Sequence, residues 1–398
     1  MIRNVNITAF KSLRDVSVEL GKINVFIGAN GSGKSNFLEA IGVLGAAANG
    51  RVDDEALLRR GVRPGVPALY KSSFAGTRIR SSIRLEATTD KASYAVELNN
   101  PIQNPEPAWT FKNESLKQEE TQMVGRSPAT DKSRQLNPQQ GLAALKAVEF
   151  SPDDSSYRLL RELADYAIYS ANTNTLRGLI PDAQQRAPVG LAGGQLPQAV
   201  HSLSAYKGKA NWMAQVFNDI HSMIDWEKSF GARSVGDALP LSPSIATSRQ
   251  VIWFRDRFMA EKRNDLTGYD VSEGALYVLF AAVLATLPEA PPVLAIDNMD
   301  HGLNPRLARA LMEKVCSWIF AVDNRDKQLL LTTHNPLVLD GLPLDNDEVR
   351  LFAVDRSRKG QTVIRRVYLT PDDLQRDGEY WTVSRLWVTG HLGGVPNV

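Results

Sequence analysis

The glycine-rich stretch GANGSGKSN, residues 28–36, carries the most specific chemical pattern in the sequence. It follows an apolar β-branched run, Ile23–Ile27, and precedes a segment in which apolar residues recur at helical spacing. Such a loop turns its backbone N–H groups toward a phosphate, while its lysine reaches the β and γ phosphates and the next hydroxyl ligates magnesium at the helix start. We therefore expect a nucleoside triphosphate and Mg²⁺ to be bound here, with contacts from Asn30, Gly31, Ser32, Gly33, Lys34, Ser35 and Asn36. The loop alone leaves kinases, GTPases, helicases and transporters open.

Two apolar runs far downstream end in residues that suit the same chemistry. The run Val293–Ile296 ends at Asp297, and an aspartate at the end of a strand beside a phosphate-binding loop can hold the water shell of a magnesium ion. The run Leu329–Leu331 is followed by two threonines and His334. A lone histidine at a strand end is commonly structural. Its place in an ordered set of motifs nevertheless favours a contact with the γ phosphate.

A third segment, DVSEGALYVLF at residues 270–280, opens an apolar helix with Ser272, Glu273 and Gly274. The free N–H groups and the positive end of that helix could face an anion. Taken alone, the segment is an ordinary capped helix. Because the Asp297 strand follows it closely, we favour a role at a nucleotide.

The bulk properties of the 398 residues are those of a globular protein, with 46 basic and 44 acidic residues and a net charge of +2. This balance gives no indication of nucleic-acid binding. The single cysteine, Cys316, lies among apolar residues at helical spacing and is interpreted as a buried structural thiol, which suits a reducing cytosol. The longest apolar run, ALYVLFAAVLATL, is too short for a membrane helix, and the N-terminus has no signal-peptide core. We expect a cytoplasmic protein without membrane contact.

The order of these motifs resembles that of the ABC-type ATPase heads of the RecF, OLD and SMC-like group. The opening, ITAFKSLRDVSVELGKINVFIGANGSGKSNFLEAI, is especially similar to RecF-like and OLD-like ATPases. The segments DVSEGALYVLF, IDNMDHGLNPR and TTHNPLVLDGL resemble stand-alone bacterial ATPases of the AAA-21 type. The resemblance implies an α/β fold of the P-loop NTPase class. This would be an ABC-ATPase-like head with a mixed or antiparallel half-sheet, a RecA-like core sheet and a helical lid.

The resemblance also implies a site shared between two copies of the chain. Ser272 and Gly274 would contact the nucleotide held by the second copy of a head-to-tail dimer, and residues 301–304 would form the D-loop that crosses the interface. In such heads a glutamate usually follows the strand-end aspartate and polarises the attacking water, whereas Asn298 cannot accept a proton. We therefore expect slow ATP hydrolysis. The candidate catalytic residues are Lys34, Asp297, Asn298 and His334, and the candidate metal ligands are Ser35 and Asp297.

Asp300 offers a second carboxylate close to the strand-end Asp297. It could replace the missing base if the turn after Asp297 folds it inward. Turn preferences favour a solvated aspartate instead.

We interpret the whole chain, residues 1–398, as one split head. Its parts are a P-loop lobe (1–50), an antiparallel sheet with a mobile insertion (51–190), a helical lid (191–265), a lobe with the serine–glycine helix, the aspartate and the histidine (266–355) and a C-terminal docking segment (356–398). Within the second part, residues 77–100 alternate as in a β-hairpin, and the polar residues 100–140 are expected to be loop. Trp381 and Trp387 would anchor the docking segment on the head or on a partner.

Two absences narrow the class of protein. No heptad run occurs, which excludes the long coiled-coil arms of SMC proteins, and there are no internal repeats. After His334 the chain has no recognisable TOPRIM nuclease domain. Asp345 and Asp347 have the spacing of a metal pair, but they are more simply a solvated turn, because no strand-end glutamate accompanies them.

Arginines cluster in the segments LLRRGVRPG and TRIRSSIR. A solvated surface is the default interpretation, and a sequence-independent contact with the DNA backbone is the alternative. The clustered residues are Arg59, Arg60, Arg63, Arg78, Arg80 and Arg84.

Three hypotheses of function follow from these observations. The first is an ATP-dependent dimerising switch that controls a separately encoded effector, as in bacterial anti-phage systems, an analogy at the level of the fold. The second is a RecF-like repair ATPase that acts directly on DNA. The third is a scaffold that binds ATP without turnover. A transporter ATPase is a weaker fourth hypothesis, since nothing in the sequence suggests a membrane partner.

Overall fold

The computed structural model describes residues 1–129, 135–209, 211–234, 250–321, 327–376 and 378–394. The strands in these ranges are β1 (Asn4–Phe10), β2 (Leu13–Glu19), β3 (Ile23–Ile27), β4 (Ser82–Thr88), β5 (Ala92–Asn99), β6 (Thr110–Gln118), β7 (Thr121–Arg126), β8 (Ala167–Tyr169), β9 (Glu227–Ser234), β10 (Gln250–Asp256), β11 (Asp265–Thr267), β12 (Val293–Ile296), β13 (Gln328–Thr333), β14 (Val349–Arg356), β15 (Thr362–Val367), β16 (Gln375–Arg376) and β17 (Glu379–Tyr380).

The helices in the same ranges are α1 (Lys34–Ala48), α2 (Asp54–Leu58), α3 (Pro67–Tyr70), α4 (Leu142–Lys146), α5 (Ser155–Asp165), α6 (Thr173–Leu176), α7 (Leu196–Ala205), α8 (Asn211–Met223), α9 (Glu273–Thr286), α10 (Pro305–Ala321) and α11 (Val383–Val388). Short 3₁₀ helices span Ala147–Glu149, Pro336–Gly341 and Pro371–Leu374. In this part of the chain, no helix is long and apolar enough to cross a membrane.

A six-stranded mixed sheet with the order β15-β14-β3-β13-β12-β8 forms the centre of the molecule. All its neighbours are parallel except the β14–β15 pair. Side chains of β3 alternate between two apolar cores, with Val25 on one side and Phe26 on the other, so the strand is buried throughout and apolar except for Asn24. Because parallel strands end at one edge, the residues after β3, β13, β12 and β8 are brought together there.

A second six-stranded sheet, β2-β1-β4-β5-β6-β7, is antiparallel throughout. Its inner face shares one apolar core with α1 and α5. The hairpin predicted for residues 77–100 is confirmed by the pairing of β4 with β5. The α/β head fold with mixed and antiparallel sheets is likewise confirmed.

The prediction of a loop over residues 100–140 is wrong for the part that forms β6 and β7. These strands extend the antiparallel sheet and bury Phe111, Leu116 and Val124. Charged and polar residues separate the few inward apolar ones, so the polar composition of the segment predicts a loop. The strands form because they pair with β5 and bury those apolar residues. Residues 130–134 of the predicted insertion lie outside the described residues.

The predicted helical lid, residues 191–265, is only partly helical. Helices α7 and α8 are followed by the three-stranded antiparallel sheet β11-β10-β9, and residues 235–249 lie outside the described part. Phe230 and Phe254 pack together with ring centroids 6.3 Å apart. Aromatic residues that face one another across strands stabilise such a small sheet.

The C-terminal segment packs on the head. Ser384, at the start of α11, donates its backbone N–H and its hydroxyl to Asp340, at 2.9 and 2.6 Å. Trp387 is buried in the main apolar core, whereas Trp381 is partly exposed and lies beside Arg385.

Asp219 on α8 joins the lid to α10. Its carboxylate accepts a hydrogen bond from the Trp318 indole at 2.8 Å and lies 3.1 Å from the Lys314 ammonium. Asp219 and Trp318 are both almost fully buried. Because a buried carboxylate without partners is costly, these contacts fix the position of α8 on the core.

We predict that Asp219→Ala lowers the free energy of unfolding by about 2–3 kcal/mol, because it leaves the buried indole N–H and the ammonium without their acceptor. Denaturant titration followed by tryptophan fluorescence measures the change. Asp225→Ala, at an exposed position after the same helix, is the control and should change stability by less than about 0.5 kcal/mol. Equal losses of unfolding free energy in the two variants would contradict the role of Asp219 in fixing α8 on the core.

Candidate nucleotide-binding site

The loop between β3 and α1 has the conformation of a phosphate-binding loop. Gly31 and Gly33 adopt left-handed φ angles of 75° and 114°, which other residues rarely adopt. A Cβ atom at Gly33 would also lie 2.1 Å from the Thr362 hydroxyl oxygen. Helix α1 begins at Lys34 without a side-chain cap, so its first N–H groups are available to an anion.

Lys34 is folded back over the loop. Its ammonium donates to the carbonyls of Gly28 and Ala29, at 2.7 and 3.1 Å. Burial lowers the pKa of Lys34 to about 8, against the opposing attraction of Asp297 and Asp300. A phosphate would supply this cation with a strong, oppositely charged partner.

Asp297 lies directly after β12 and draws two hydroxyl groups to its carboxylate. Ser35 donates to Asp297 Oδ2 at 3.0 Å, and Thr332 donates to Oδ1. The backbone N–H of Asp297 donates to the Tyr169 carbonyl at 2.8 Å. The two predicted metal ligands are therefore adjacent, and a carboxylate beside a loop hydroxyl is the oxygen donor set that Mg²⁺ takes in nucleotide sites.

Asn298 has a left-handed backbone, with a φ angle of 57°. Its N–H donates to the Thr332 hydroxyl at 2.8 Å. Asparagine is among the few non-glycine residues that adopt this conformation readily. The residue therefore has a backbone role in the turn, which the sequence did not indicate, in addition to facing the site.

His334 lies just past β13. Its backbone N–H donates to Asp300 Oδ1 at 3.2 Å. Partial burial lowers the pKa of His334, and the nearby Lys34 charge lowers it further, so the imidazole is neutral at pH 7. Asp300 itself is half-buried, so the choice between a solvated carboxylate and a substitute base stays a prediction.

Most of these residues line a cavity of about 370 Å³. Ser32, Asp297 and Asp300 are outside its lining, and so are Ser272 and Gly274. Two arginines that the sequence analysis did not assign to the nucleotide, Arg63 and Arg356, complete it. The lining consists of Asn30, Gly31, Gly33, Lys34, Ser35, Asn36, Arg63, Asn298, His334 and Arg356.

Arg63 reaches the cavity because a buried carboxylate holds it. Its guanidinium binds Glu39 of α1 and donates to the Asn36 side chain at 3.2 Å. Lys11 binds the same Glu39 from the β1–β2 turn. No local sequence pattern links these positions, which meet only in the folded chain.

Ser272 is exposed at the start of α9, and the residues after it are fixed from two sides. Glu273 accepts a hydrogen bond from the Thr173 hydroxyl at 2.8 Å. A Cβ at Gly274 would lie 3.1 Å from the Leu307 side chain, so the helix start packs closely on the beginning of α10. Within one chain the structure therefore brings Lys34, Ser35, Asp297, Asn298 and His334 together and leaves Ser272 and Gly274 apart from them.

The predicted arginine cluster is largely engaged within the protein. Arg60 is buried and donates to the carbonyls of Ala56 and Ala164, so its assignment to a solvated or DNA-facing surface is wrong. Arg59 pairs with Glu55 on α2.

A metal pair at Asp345 and Asp347 gains no support from the structure. Asp347 pairs with Arg366, and the described residues hold no group of three or more histidine, cysteine or acidic side chains suited to a metal.

The fold and the site together define the class, which is a nucleotide-binding P-loop ATPase. Residues 208–340 match the model of a family described as "AAA domain, putative AbiEii toxin, Type IV TA system". Residues 1–122 match a family described as "AAA ATPase domain". Each match covers about a third of the chain, and together they support an ABC-type ATPase head of the RecF/SMC-like kind.

Curated relatives and solved structures agree with this assignment. The chain is 32% identical over 104 residues to the DNA replication and repair protein RecF of Paenarthrobacter aurescens, and 32% identical over 105 residues to that of Renibacterium salmoninarum. Each aligned segment spans 25% of this chain and 25% of the relative. An SMC head bound to the C-terminal winged-helix domain of ScpA has the same fold, with a TM-score of 0.53 and 13% identity over 92% of this chain and 98% of that one.

We predict that nucleotide affinity falls as the pH rises above about 8. Below that pH the Lys34 ammonium is already charged in the free protein, so binding is independent of its titration. Above it, a bound phosphate must draw a proton onto Lys34, which weakens binding by up to about tenfold per pH unit. Calorimetric titration with MgATP at pH 7 to 9.5, in buffers of different ionisation enthalpy, measures both the affinity and the proton uptake.

The control for this titration is Lys34→Ala. It should bind MgATP weakly at every pH, without the proton uptake, because the cation that neutralises phosphate charge is gone. Unchanged affinity in Lys34→Ala would contradict the assignment of the phosphate-binding loop.

Proposed function

We propose that this chain is a MgATP-dependent switch, in which two copies dimerise around two nucleotides, hydrolyse them slowly and control a separately encoded effector. The observation that carries the proposal is the meeting of Ser35, Asp297 and Thr332 at one edge of the sheet, with Asn298 next to them where a base would act. The family match described as a toxin of a type IV toxin–antitoxin system supports a role in bacterial anti-phage defence.

Lys34, the N–H groups at the start of α1 and His334 would bind the phosphates, while Ser35 and Asp297 would hold the magnesium ion. The ion would neutralise charge on the β and γ phosphates. A neutral His334 can donate a hydrogen bond to a γ-phosphate oxygen, and Arg63 and Arg356 add positive charge at the rim of the cavity. Phosphoryl transfer depends mainly on positioning and on charge stabilisation of this kind.

Asn298 limits the rate in this proposal. Its amide can orient a water molecule but cannot take the proton that the water loses on attacking phosphorus. A general base contributes about 10² to 10⁴ in rate, so turnover would be slow without being absent. The Asp300 carboxylate accepts a hydrogen bond from the His334 backbone N–H, so we assign it to positioning and not to proton transfer.

Dimerisation would complete the site. Ser272 is exposed and the N-terminus of α9 is free of a side-chain cap, so its N–H groups can face the γ phosphate held by a second copy. The loop 301–304 lies beside this helix start, since a Cβ at Gly302 would lie 3.1 Å from the Glu273 carboxyl carbon.

We predict that Ser272→Arg leaves nucleotide binding by the monomer unchanged and blocks dimerisation in ATP, because a bulky cation would fill the space that the opposing γ phosphate needs. Light scattering coupled to gel filtration measures the oligomer, and calorimetry measures the affinity. His201→Arg, at an exposed position on α7, is the control and should dimerise normally. An ATP-dependent dimer of Ser272→Arg would refute the composite site.

We predict that Asn298→Glu raises steady-state ATP hydrolysis and shortens the lifetime of the dimer, while Asp297→Ala abolishes hydrolysis. The carboxylate restores a base, and the left-handed backbone offsets part of the gain by about 1–2 kcal/mol of strain. Phosphate release measures the rate. The matched control is Asn298→Gln, which has the same strain and a similar size without a carboxylate, and it should be no faster than the wild type.

Equal or lower turnover in Asn298→Glu than in Asn298→Gln would mean that the base lies elsewhere. Absence of turnover in every variant, with ATP retained through purification, would instead support a scaffold that does not hydrolyse ATP.

A RecF-like role in DNA repair is the second candidate, favoured by the similarity to RecF and by Arg78 and Arg80, which are exposed. Fluorescence anisotropy with duplex DNA at several salt concentrations tests it. Tight, salt-dependent binding by the protein alone would favour this candidate, since phosphate contacts release counterions. No binding with or without ATP would exclude it and leave the switch.

A further inference from the structure

The outer side of the phosphate-binding loop is covered by the hairpin of β14 and β15. The Thr362 hydroxyl donates to the Ser32 carbonyl at 2.7 Å, and the Ser12 hydroxyl lies 2.7 Å from the same Thr362 oxygen. The Asn36 side-chain NH₂ in turn donates to Ser12, also at 2.7 Å. Ser12 and Thr362 are buried.

The groups at the two ends of this series of hydrogen bonds, Asn36 and Ser32, fix the direction of every bond in it. The Asn36 nitrogen can only donate and the Ser32 carbonyl can only accept. The proton of Ser12 must therefore point to Thr362, and that of Thr362 to Ser32. Each hydroxyl then both donates and accepts, an arrangement in which neighbouring hydrogen bonds strengthen one another.

Arg356, at the end of β14, holds the adjacent peptide. Its Nε donates to the Gly31 carbonyl at 2.8 Å, and its guanidinium also donates to the Gly360 carbonyl, which closes the hairpin turn. The hairpin therefore binds two consecutive outward carbonyls of the loop.

Holding these carbonyls outward fixes where the loop N–H groups point. In a planar trans peptide, the C=O of one residue and the N–H of the next point in opposite directions. With the Ser32 carbonyl held by Thr362, the Gly33 N–H points toward the cavity. With the Gly31 carbonyl held by Arg356, the Ser32 N–H points to the Ala29 carbonyl, which it reaches at 3.1 Å.

We propose that Thr362 and Arg356 are positioning residues that hold the loop in its phosphate-binding conformation, so that the β14–β15 hairpin controls nucleotide affinity. The proposal rests on nucleotide binding at this loop, as proposed above, and assigns that binding a support beyond its sequence motif. Neither residue belongs to a nucleotide-binding motif, and both follow His334 in the chain.

The first test uses Thr362→Val, which keeps the shape of the side chain and removes the hydroxyl. The Ser32 carbonyl and the Ser12 hydroxyl then lose a buried partner, which corresponds to roughly a tenfold weaker affinity for MgATP with faster release. Turnover at saturating ATP should stay unchanged, because the hydroxyl does not touch the nucleotide. Thr362→Ser restores the hydroxyl and should restore affinity.

Arg356→Met should weaken binding both by freeing the Gly31 carbonyl and by removing charge at the cavity rim, so for this variant the hydrogen-exchange measurement below is the test of positioning. Arg358→Met, at an exposed arginine of the same hairpin turn, is its matched control. Stopped-flow release of a fluorescent ADP analogue measures the rates. Wild-type affinity in Thr362→Val, or equal losses in the valine and serine variants, would overturn the proposal.

A second measurement does not depend on nucleotide. Hydrogen–deuterium exchange over residues 28–36 of the nucleotide-free protein should be faster in Thr362→Val and Arg356→Met than in the wild type, and unchanged in Arg358→Met. Identical exchange in all variants would refute the role of the hairpin, even if ATP binding were normal. Faster exchange in a protein that binds no nucleotide would uphold the hairpin contact and refute the proposed function alone.

Discussion

The carboxylate of Asp297 is the point at which the separate parts of the site are joined. It accepts hydrogen bonds from the hydroxyls of Ser35, at the start of α1, and Thr332, at the end of β13. The backbone N–H of Asp297 donates to the Tyr169 carbonyl at the end of β8. Three strand ends and the start of one helix therefore meet at one charge. The arrangement works only because β3, β13, β12 and β8 are parallel and adjacent in that order, so their carboxyl ends open on the same edge.

The parts of this site that sequence could predict are those in which neighbouring residues determine the geometry. The apolar run of β3, the glycines of the loop and the start of α1 are contiguous, and Asp297 and His334 each follow an apolar strand. The contributions of Arg63, Arg356 and Thr362 could not be predicted in this way, because each comes from an element that is distant in sequence and meets the site only in the folded chain. The fold was hardest to predict where polar residues alternate with a few apolar ones, as in β6 and β7.

The same neighbourhood connects the nucleotide site to the exposed start of α9. The Tyr169 carbonyl binds the Asp297 backbone, the Ala171 carbonyl accepts from the Tyr277 hydroxyl at 3.0 Å, and Thr173 binds Glu273. Tyr277 also lies 3.3 Å from the His301 ring. A continuous set of hydrogen bonds therefore links the backbone of Asp297 to the start of α9 and to the loop that contains His301.

The turn after Asp297 explains why an amide can stand where a carboxylate would be expected. The N–H of Asn298 is held by Thr332, whose hydroxyl proton is already committed to Asp297, so the backbone at this position is fixed by the same network that fixes the metal ligand. This geometry requires a left-handed φ, which asparagine adopts more easily than glutamate. A glutamate here would add a second negative charge beside Asp297 and strain the turn that orients it. The asparagine at this position therefore fits the backbone geometry of the turn and avoids a second negative charge beside Asp297.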